Sequence, residues 1–309
     1  MTHVIVVGSA NVDLIARTSH IPRPGETVLG SDFTTALGGK GANQAVGVAR
    51  LGAQVTFVAR VGQDNFGDQC LAGYQAEGME TRFVIRDPEA PTGVALIAVA
   101  DDGENSIIVA SGANMRLSPQ DVEAAAPVFD EADTLLLQLE IPIETILAAV
   151  QLAHDKGLRV ILNPAPARSL PQALLQLVDV ITPNRVELAQ LLGVDESEIQ
   201  QKNDEQLAKS ALSLGPSSAV VTLGAQGALA AGSWGWVRVP AFPVTVVDTT
   251  AAGDAFSAGL AVALGSGRMA LDQATRYACA CGALAATKMG AQPSLPNAAA
   301  VERLMADLG

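Results

Sequence analysis

The chain has 309 residues, 49% of them hydrophobic and only 4% aromatic, with 32 acidic against 19 basic residues and a net charge of −13. A chain this long can bury a large core without disulfide or metal staples. That core must be made mainly of Ala, Val, Leu and Ile, which suits helices packed closely on a sheet. The acidic balance argues against a nucleic-acid or anionic-membrane partner, so any phosphate must be held by backbone N–H groups, helix N-termini or a metal ion.

Val4-Ile5-Val6-Val7, ending at Gly8, predicts a buried parallel strand. No basic segment or long apolar stretch marks a secretory leader, and no apolar run reaches the length of a membrane span, so the expected compartment is the cytoplasm. Residues 12–37 carry Pro22, Pro24, Gly25 and Gly30 among β-favouring pieces and show no helical period. Residues 42–51 predict a helix, 55–58 a strand and 68–77 a helix. Residues 92–99 and 106–109, joined through Asp101-Asp102-Gly103, predict a hairpin. Two strand-rich insertions in an α/β chain suggest a small sheet standing off the main body. From there strands and helices alternate: 134–139, 159–162, 178–181 and 219–222 as strands, and 143–156, 187–192 and 204–214 as helices. The expected fold is α/β, a doubly wound, mostly parallel central sheet flanked by helices. Ligands of such sheets bind beyond the carboxyl ends of the strands. The expected division is a large α/β domain of residues 1–11, 38–89 and 112–309, and a small β-sheet of residues 12–37 and 90–111.

Six places carry candidate chemistry. In Val246-Val247-Asp248-Thr249-Thr250-Ala251-Ala252-Gly253-Asp254, a predicted strand ends at Asp248 and a helix starts near Asp254. Small residues let a ligand approach the backbone, and the first helical turn offers free N–H groups to developing negative charge. Asp254 either accepts a proton from a hydroxyl there or caps the helix. The second place, Leu37-Gly38-Gly39-Lys40-Gly41-Ala42-Asn43-Gln44, is either an anion cradle or a tight turn. It is not a Walker A loop, since Gly41 stands where Ser or Thr would bind Mg²⁺. Gly8-Ser9-Ala10-Asn11-Val12-Asp13 lacks dinucleotide-binding glycine spacing; Asn11 and Asp13, two apart, can either face a sugar together or make local turn bonds. Glu140 follows a predicted strand directly. Thr182-Pro183-Asn184-Arg185-Val186-Glu187 and Thr222-Leu223-Gly224-Ala225-Gln226-Gly227 follow strands too. The three cysteines make neither a disulfide framework nor a zinc site, and the three histidines are scattered.

Taken in order from Gly8 to Ser294, these segments resemble the ribokinase family of carbohydrate kinases. Two stretches carry the resemblance: Gly38 to Ala45, with Gly52 and Gly62 at the expected spacing, and Asp248 to Asp254 followed by Ala258-Gly259. The resemblance implies an ATP-dependent sugar kinase that phosphorylates the 5-hydroxyl of D-ribose, with Asp254 as base and Ala251, Ala252 and Gly253 as an anion hole. Asn11, Asp13, Gly39, Lys40, Asn43 and Glu140 would hold the sugar. Asn184 and the loop Thr222, Leu223, Gly224, Ala225, Gln226 and Gly227 would face ATP, and Glu187 would serve Mg²⁺ and phosphate. K⁺ would be held by Asp248, Thr250, Ala285, Lys288, Gly290 and Ser294. Cys279 stands where related enzymes often place a polar residue near adenine. The insertions would form a lid and, through its exposed strands, a homodimer. Deoxyribokinase, fructokinase or nucleoside kinase activity is the alternative within the family. A non-catalytic sugar-binding regulator is the alternative outside it.

Overall fold

A computed structural model of the chain describes residues 1–265, 267 and 269–307. The strands among them are β1 (His3–Val7), β2 (Asn11–Thr18), β3 (Asp32–Gly38), β4 (Gln54–Gly62), β5 (Val84–Asp87), β6 (Gly93–Ala100), β7 (Asn105–Ala110), β8 (Thr134–Leu137), β9 (Arg159–Leu162), β10 (Val180–Ile181), β11 (Ser218–Thr222), β12 (Ala228–Gly232) and β13 (Gly235–Val239). Nine of them form one sheet in the order β13-β12-β11-β10-β9-β8-β1-β4-β5. From β11 to β5 every neighbouring pair is parallel, and β12 and β13 add an antiparallel hairpin at one edge. A second sheet has the order β3-β2-β6-β7.

β1 shows why the large sheet is covered on both faces. All five of its residues are buried. Val4 and Val6 enter one core with the helices Lys40–Arg50, Ala252–Gly265 and Leu271–Ala285, while Ile5 and Val7 enter the other with Ile143–Lys156, Arg185–Leu192 and Asp204–Leu212. Alternation along a strand sends successive side chains to opposite layers, so a continuous apolar run marks a strand between two helical layers. No helix among the described residues is long and apolar enough to cross a membrane.

The helix Ile143–Lys156 and the strand β9 fall where the sequence pattern put them. Other boundaries move. β8 stops at Leu137, which leaves Gln138, Leu139 and Glu140 on the loop beyond it. β10 is only two residues long. No strand runs up to Asp248; residues 240–247 lie outside any strand, tied to the body by Val247 N–H on the Ala286 carbonyl. The helix after it begins at Ala252, two residues before Asp254. The β12–β13 hairpin carries no turn dipeptide that the pattern singled out, and its Ala-rich first strand is uniformly buried rather than alternating.

Candidate active site

Five parallel strands end on one side of the large sheet and deliver polar residues there. Ser9 and Asn11 follow β1, Gln138 and Glu140 follow β8, and Asn163 follows β9. Thr182 and Asn184 follow β10, and Thr222 ends β11. A cleft of about 210 Å³ opens at this edge, lined by Lys40, Asn163, Asn184, Glu187, Thr222 and Asp254 among others. Ligands of parallel sheets bind in this crevice.

Asp254 is the third residue of the helix Ala252–Gly265 and is buried. Its side chain does not cap the helix. Its Oδ2 accepts from Asn43 Nδ2 at 2.9 Å and its Oδ1 from Gln44 Nε2 at 3.0 Å. Burial pushes its carboxyl above the usual range, and Lys40 with the two amides pulls against that shift. Ahead of it, Ala251 stands at φ 59°, the only non-glycine residue with positive φ among those described. That turn swings the chain into the helix; the Ala252 N–H donates back to the Thr249 carbonyl at 3.1 Å, while Ala251 and Gly253 line the cleft.

The glycines before Lys40 serve the chain as much as any ligand. Gly39 has φ 85°, and a Cβ on it would stand 2.8 Å from the Asn11 nitrogen. A Cβ on Gly38 would sit 2.4 Å from both carboxylate oxygens of Asp13. Both stay side-chain-free so that β3 can pass against β2 and its polar residues. The helix they lead into, Lys40–Arg50, then brings Lys40, Asn43 and Gln44 under the cleft.

Asn11 and Asp13 lie two apart on β2, as their spacing predicts. Asn11 is fixed by Asn114, whose Nδ2 donates to its Oδ1 at 2.7 Å. Burial, and then the charges of Glu140 and Asp254, push Asp13 up to about 6. Glu140 Oε2 accepts from Ser9 Oγ at 2.5 Å and from the Lys40 backbone N–H at 3.0 Å. Burial alone would lower the Lys40 ammonium, but Asp254, Glu140 and Glu187 together hold it above its usual range.

On the opposite wall, Asn184 and Glu187 cap the helix Arg185–Leu192 reciprocally. Asn184 Oδ1 accepts from Glu187 N–H and Glu187 Oε2 from Asn184 N–H, each at 2.8 Å. Burial raises Glu187 as well. Thr222 lines the cleft, whereas Gly224, Ala225 and Gln226 form an exposed single turn at its rim with Leu223 before it. Gly227 packs inward, its Cα facing the Val239 carbonyl where a Cβ would stand 2.0 Å away. Cys279 is buried in the core with Phe242 and does not line the cleft.

Behind the Ala251 turn, Asp248 ties two loops together. It accepts from Thr250 N–H at 2.9 Å, Thr250 Oγ1 at 2.7 Å and Gly290 N–H at 2.8 Å. Partial burial would raise it, but these bonds outweigh that and keep it below the usual range. Buried Ser294 donates its hydroxyl to the Ala291 carbonyl, leaving its oxygen lone pairs free. The Ala285 carbonyl ends a helix and accepts from Lys288 N–H at 3.2 Å. One ionised carboxylate among carbonyl and hydroxyl oxygens suits a hard monovalent cation. No cluster of three or more His, Cys, Asp or Glu exists among the described residues to hold a transition metal.

The pfkB family carbohydrate kinase model matches residues 1–298. The chain belongs to this family. A ribokinase of Haemophilus influenzae is 40% identical over 296 residues, 94% of each chain. The structure of a Thermotoga maritima ribokinase superposes with a TM-score of 0.88 at 34% identity, covering 99% of both chains. An Arabidopsis thaliana ribokinase complexed with ribose and ATP superposes equally, at 32% identity and 98% coverage of each chain.

The kinase site also contains residues the sequence pattern did not single out. Asn163 lines the cleft, and it follows β9 directly, by the same rule that flagged Glu140. Gln138 is a fully buried amide at the end of an apolar run. Gln44 lies inside the glycine-rich motif but carries no individual signal there. Only the fold brings Gln44, Gln138 and Asn163 together.

Proposed function

We propose that the protein transfers the γ-phosphate of ATP to the 5-hydroxyl of D-ribose, giving ribose 5-phosphate and ADP. The observation that carries this reading is the buried Asp254 carboxylate, aimed by two amides at the head of a helix that opens on the cleft. A carboxyl raised by burial is a better base near neutral pH than an exposed one. Asp254 takes the hydroxyl proton as the sugar oxygen bonds to phosphorus and the bond from phosphorus to the β,γ-bridging oxygen breaks. In this reading Ala251, Ala252 and Gly253 form the anion hole with the Lys40 ammonium: the Ala251 and Gly253 N–H groups meet the negative charge gathered on the phosphoryl oxygens, while the Ala252 N–H holds the turn through the Thr249 carbonyl.

Asn11, Asp13, Gly39, Lys40, Asn43 and Glu140 form the sugar side of this reading; Asn184, Glu187 and the 222–227 loop form the nucleotide side. The fit of a divalent cation follows from charge. Asp13, Glu140, Glu187 and Asp254 surround one ammonium, so a triphosphate enters only with its charge neutralised. Mg²⁺, when bound, would supply that neutralisation, with Glu187 on the nucleotide side the carboxylate proposed to serve it. Asp248, Thr250, Ala285, Lys288, Gly290 and Ser294 are the proposed K⁺ holders.

We place residues 12–37 and 90–111 as a lid over the sugar side. All six β7 residues are exposed, and Phe33, Ile107 and Ile108 show 62%, 53% and 65% of their surface. Phe33 stands on one edge strand, β3, and Ile107 and Ile108 on the other, β7; exposed apolar edges of this kind favour pairing with a second copy, so the assembly proposed is a homodimer through the lid. The free thiols of Cys70, Cys279 and Cys281 suit a reducing cytoplasm. ADP release measured over D-ribose, 2-deoxy-D-ribose, D-fructose and adenosine tests the function. Turnover on ribose above the others supports it. Preference for another acceptor keeps the mechanism and changes the substrate, and no turnover on any of them returns the sugar-binding regulator.

A further inference from the structure

Beneath the cleft runs a chain of buried carboxamides. Gln138 Nε2 donates to Gln44 Oε1 at 2.6 Å. Gln44 Nε2 spends one hydrogen on Asn163 Oδ1 at 3.0 Å and the other on Asp254 Oδ1 at 3.0 Å. Asn163 Nδ2 in turn donates to the Thr182 carbonyl at 3.3 Å. Gln44 and Gln138 have no exposed surface, and Asn163 keeps 7%.

The polarity of this chain is fixed. Turning the Gln44 amide over would set its oxygen against the Asp254 carboxylate and the Asn163 carbonyl at once, and would turn its NH₂ on the Gln138 NH₂. Gln138 maintains the sense at a cost: its own Oε1 is buried with no partner. A buried carbonyl left without a partner disfavours folding. Unsatisfied groups of this kind are held where the surrounding structure uses them.

We propose that Gln44, backed by Gln138, is a positioning residue of the phosphoryl transfer, one that aims Asp254 and keeps it a proton acceptor. Asn43 and Gln44 present N–H groups to both carboxylate oxygens, so a proton on either oxygen would displace a donor. The charged groups around Asp254 are Lys40 from its own side of the cleft, Glu140 beyond β8, Asp13 on β2 and Glu187 on the opposite wall. Three of these four are acids, which favour protonation of Asp254; Lys40 and the two amides pull the other way, toward the ionised form. This inference rests on the reading of Asp254 as the base.

The test compares wild type, Gln44→Leu, Gln138→Leu and Asp254→Asn by kcat and KM for both substrates from pH 5 to 9. Gln44→Leu is expected to lower kcat about tenfold or more, leave the KM for ATP near wild type, and move the acidic limb of the kcat profile up by about one pH unit. Gln138→Leu removes one unpaired carbonyl and leaves another, Gln44 Oε1, without its donor, so it should fold about as well as wild type. It frees the Gln44 amide to turn and should move the same limb in the same direction by less. An unmoved limb in both variants, or a loss confined to the sugar KM, overturns the inference while the base reading stands. If Gln44→Leu does not fold, the Gln138→Leu limb alone decides. Near-wild-type turnover by Asp254→Asn overturns both.

Discussion

Asn43 donates its Nδ2 to Asp254 Oδ2 at 2.9 Å and leaves its own Oδ1 buried without a partner. The first contact fixes which way the amide faces. The second leaves an acceptor beside the proposed base, waiting for a donor such as a sugar hydroxyl. Asn43→Ala removes both. The expected result is a sugar KM raised at least about tenfold together with a lower kcat, since an amide–hydroxyl bond in a dry site is worth roughly 1–3 kcal/mol. A KM equal to wild type would show that the acceptor faces no substrate.

Asp254→Asn keeps the volume and removes the base. Loss of about 100- to 10,000-fold in kcat is expected, with nucleotide binding retained, because a positioned general base contributes on that order. Melting should not fall sharply, since the substitution also removes a buried charge whose carboxyl is already pushed up. Steady-state kinetics and a melting curve on the same preparation check both halves.

Asp13 gives a pH dependence with a definite sign. Burial holds its folded pKa at about 6, above the ordinary aspartate value of 3.8. The folded state therefore binds the proton more tightly than the unfolded one, and Asp13 costs stability as pH rises through that window. Asp13→Asn should melt higher than wild type at pH 8, with the advantage gone by pH 4. In wild type, sugar affinity should weaken as pH falls through about 6, where Asp13 stops being a pure acceptor. An Asp13→Asn advantage equal at both pH values contradicts this account.

Ala251 stands at φ 59°, a conformation that costs a non-glycine residue about 1–2 kcal/mol. Ala251→Gly relieves that strain and loosens the unfolded chain by a comparable amount, so stability within about 1 kcal/mol and retained activity are expected. Ala251→Val, β-branched at positive φ, should lose both stability and kcat. Denaturant midpoints separate the two variants.

Replacing K⁺ by Na⁺ or by a bulky organic cation should lower turnover at constant ionic strength, because the oxygens around Asp248 sit directly behind the Ala251 turn. Asp248→Asn should blunt the response to K⁺. Equal rates in all three salts remove the cation assignment.

The α/β class was legible because β1 and β9 are short apolar runs in a chain where strand and helix patterns alternate, and a strand covered on both faces must be apolar throughout. Asp254 and Glu140 were legible because strand ends and helix starts are where backbone geometry exposes polar groups to a ligand. The segment leading to Asp248 was misread as a strand: Val246 and Val247 are exposed, and the segment is held by the Val247 N–H on the Ala286 carbonyl rather than by a ladder. The β12–β13 hairpin was passed over because β12 is buried on both faces, which removes the alternation that marks an edge hairpin.

The sequence by itself determined the layered fold, the family and most of the residues that meet at the cleft, because periodicity and local turn chemistry act over a few neighbouring positions. Only the tertiary structure decided whether Asp254 caps its helix or faces the cleft, since that depends on Asn43 and Gln44, more than 200 positions away in the chain. It alone showed that Gly38 and Gly39 make room for Asp13 and Asn11, and that Gln44, Gln138 and Asn163 form one oriented chain. Hydrogen-bond direction is a property of several buried groups at once, so no single stretch of sequence contains it.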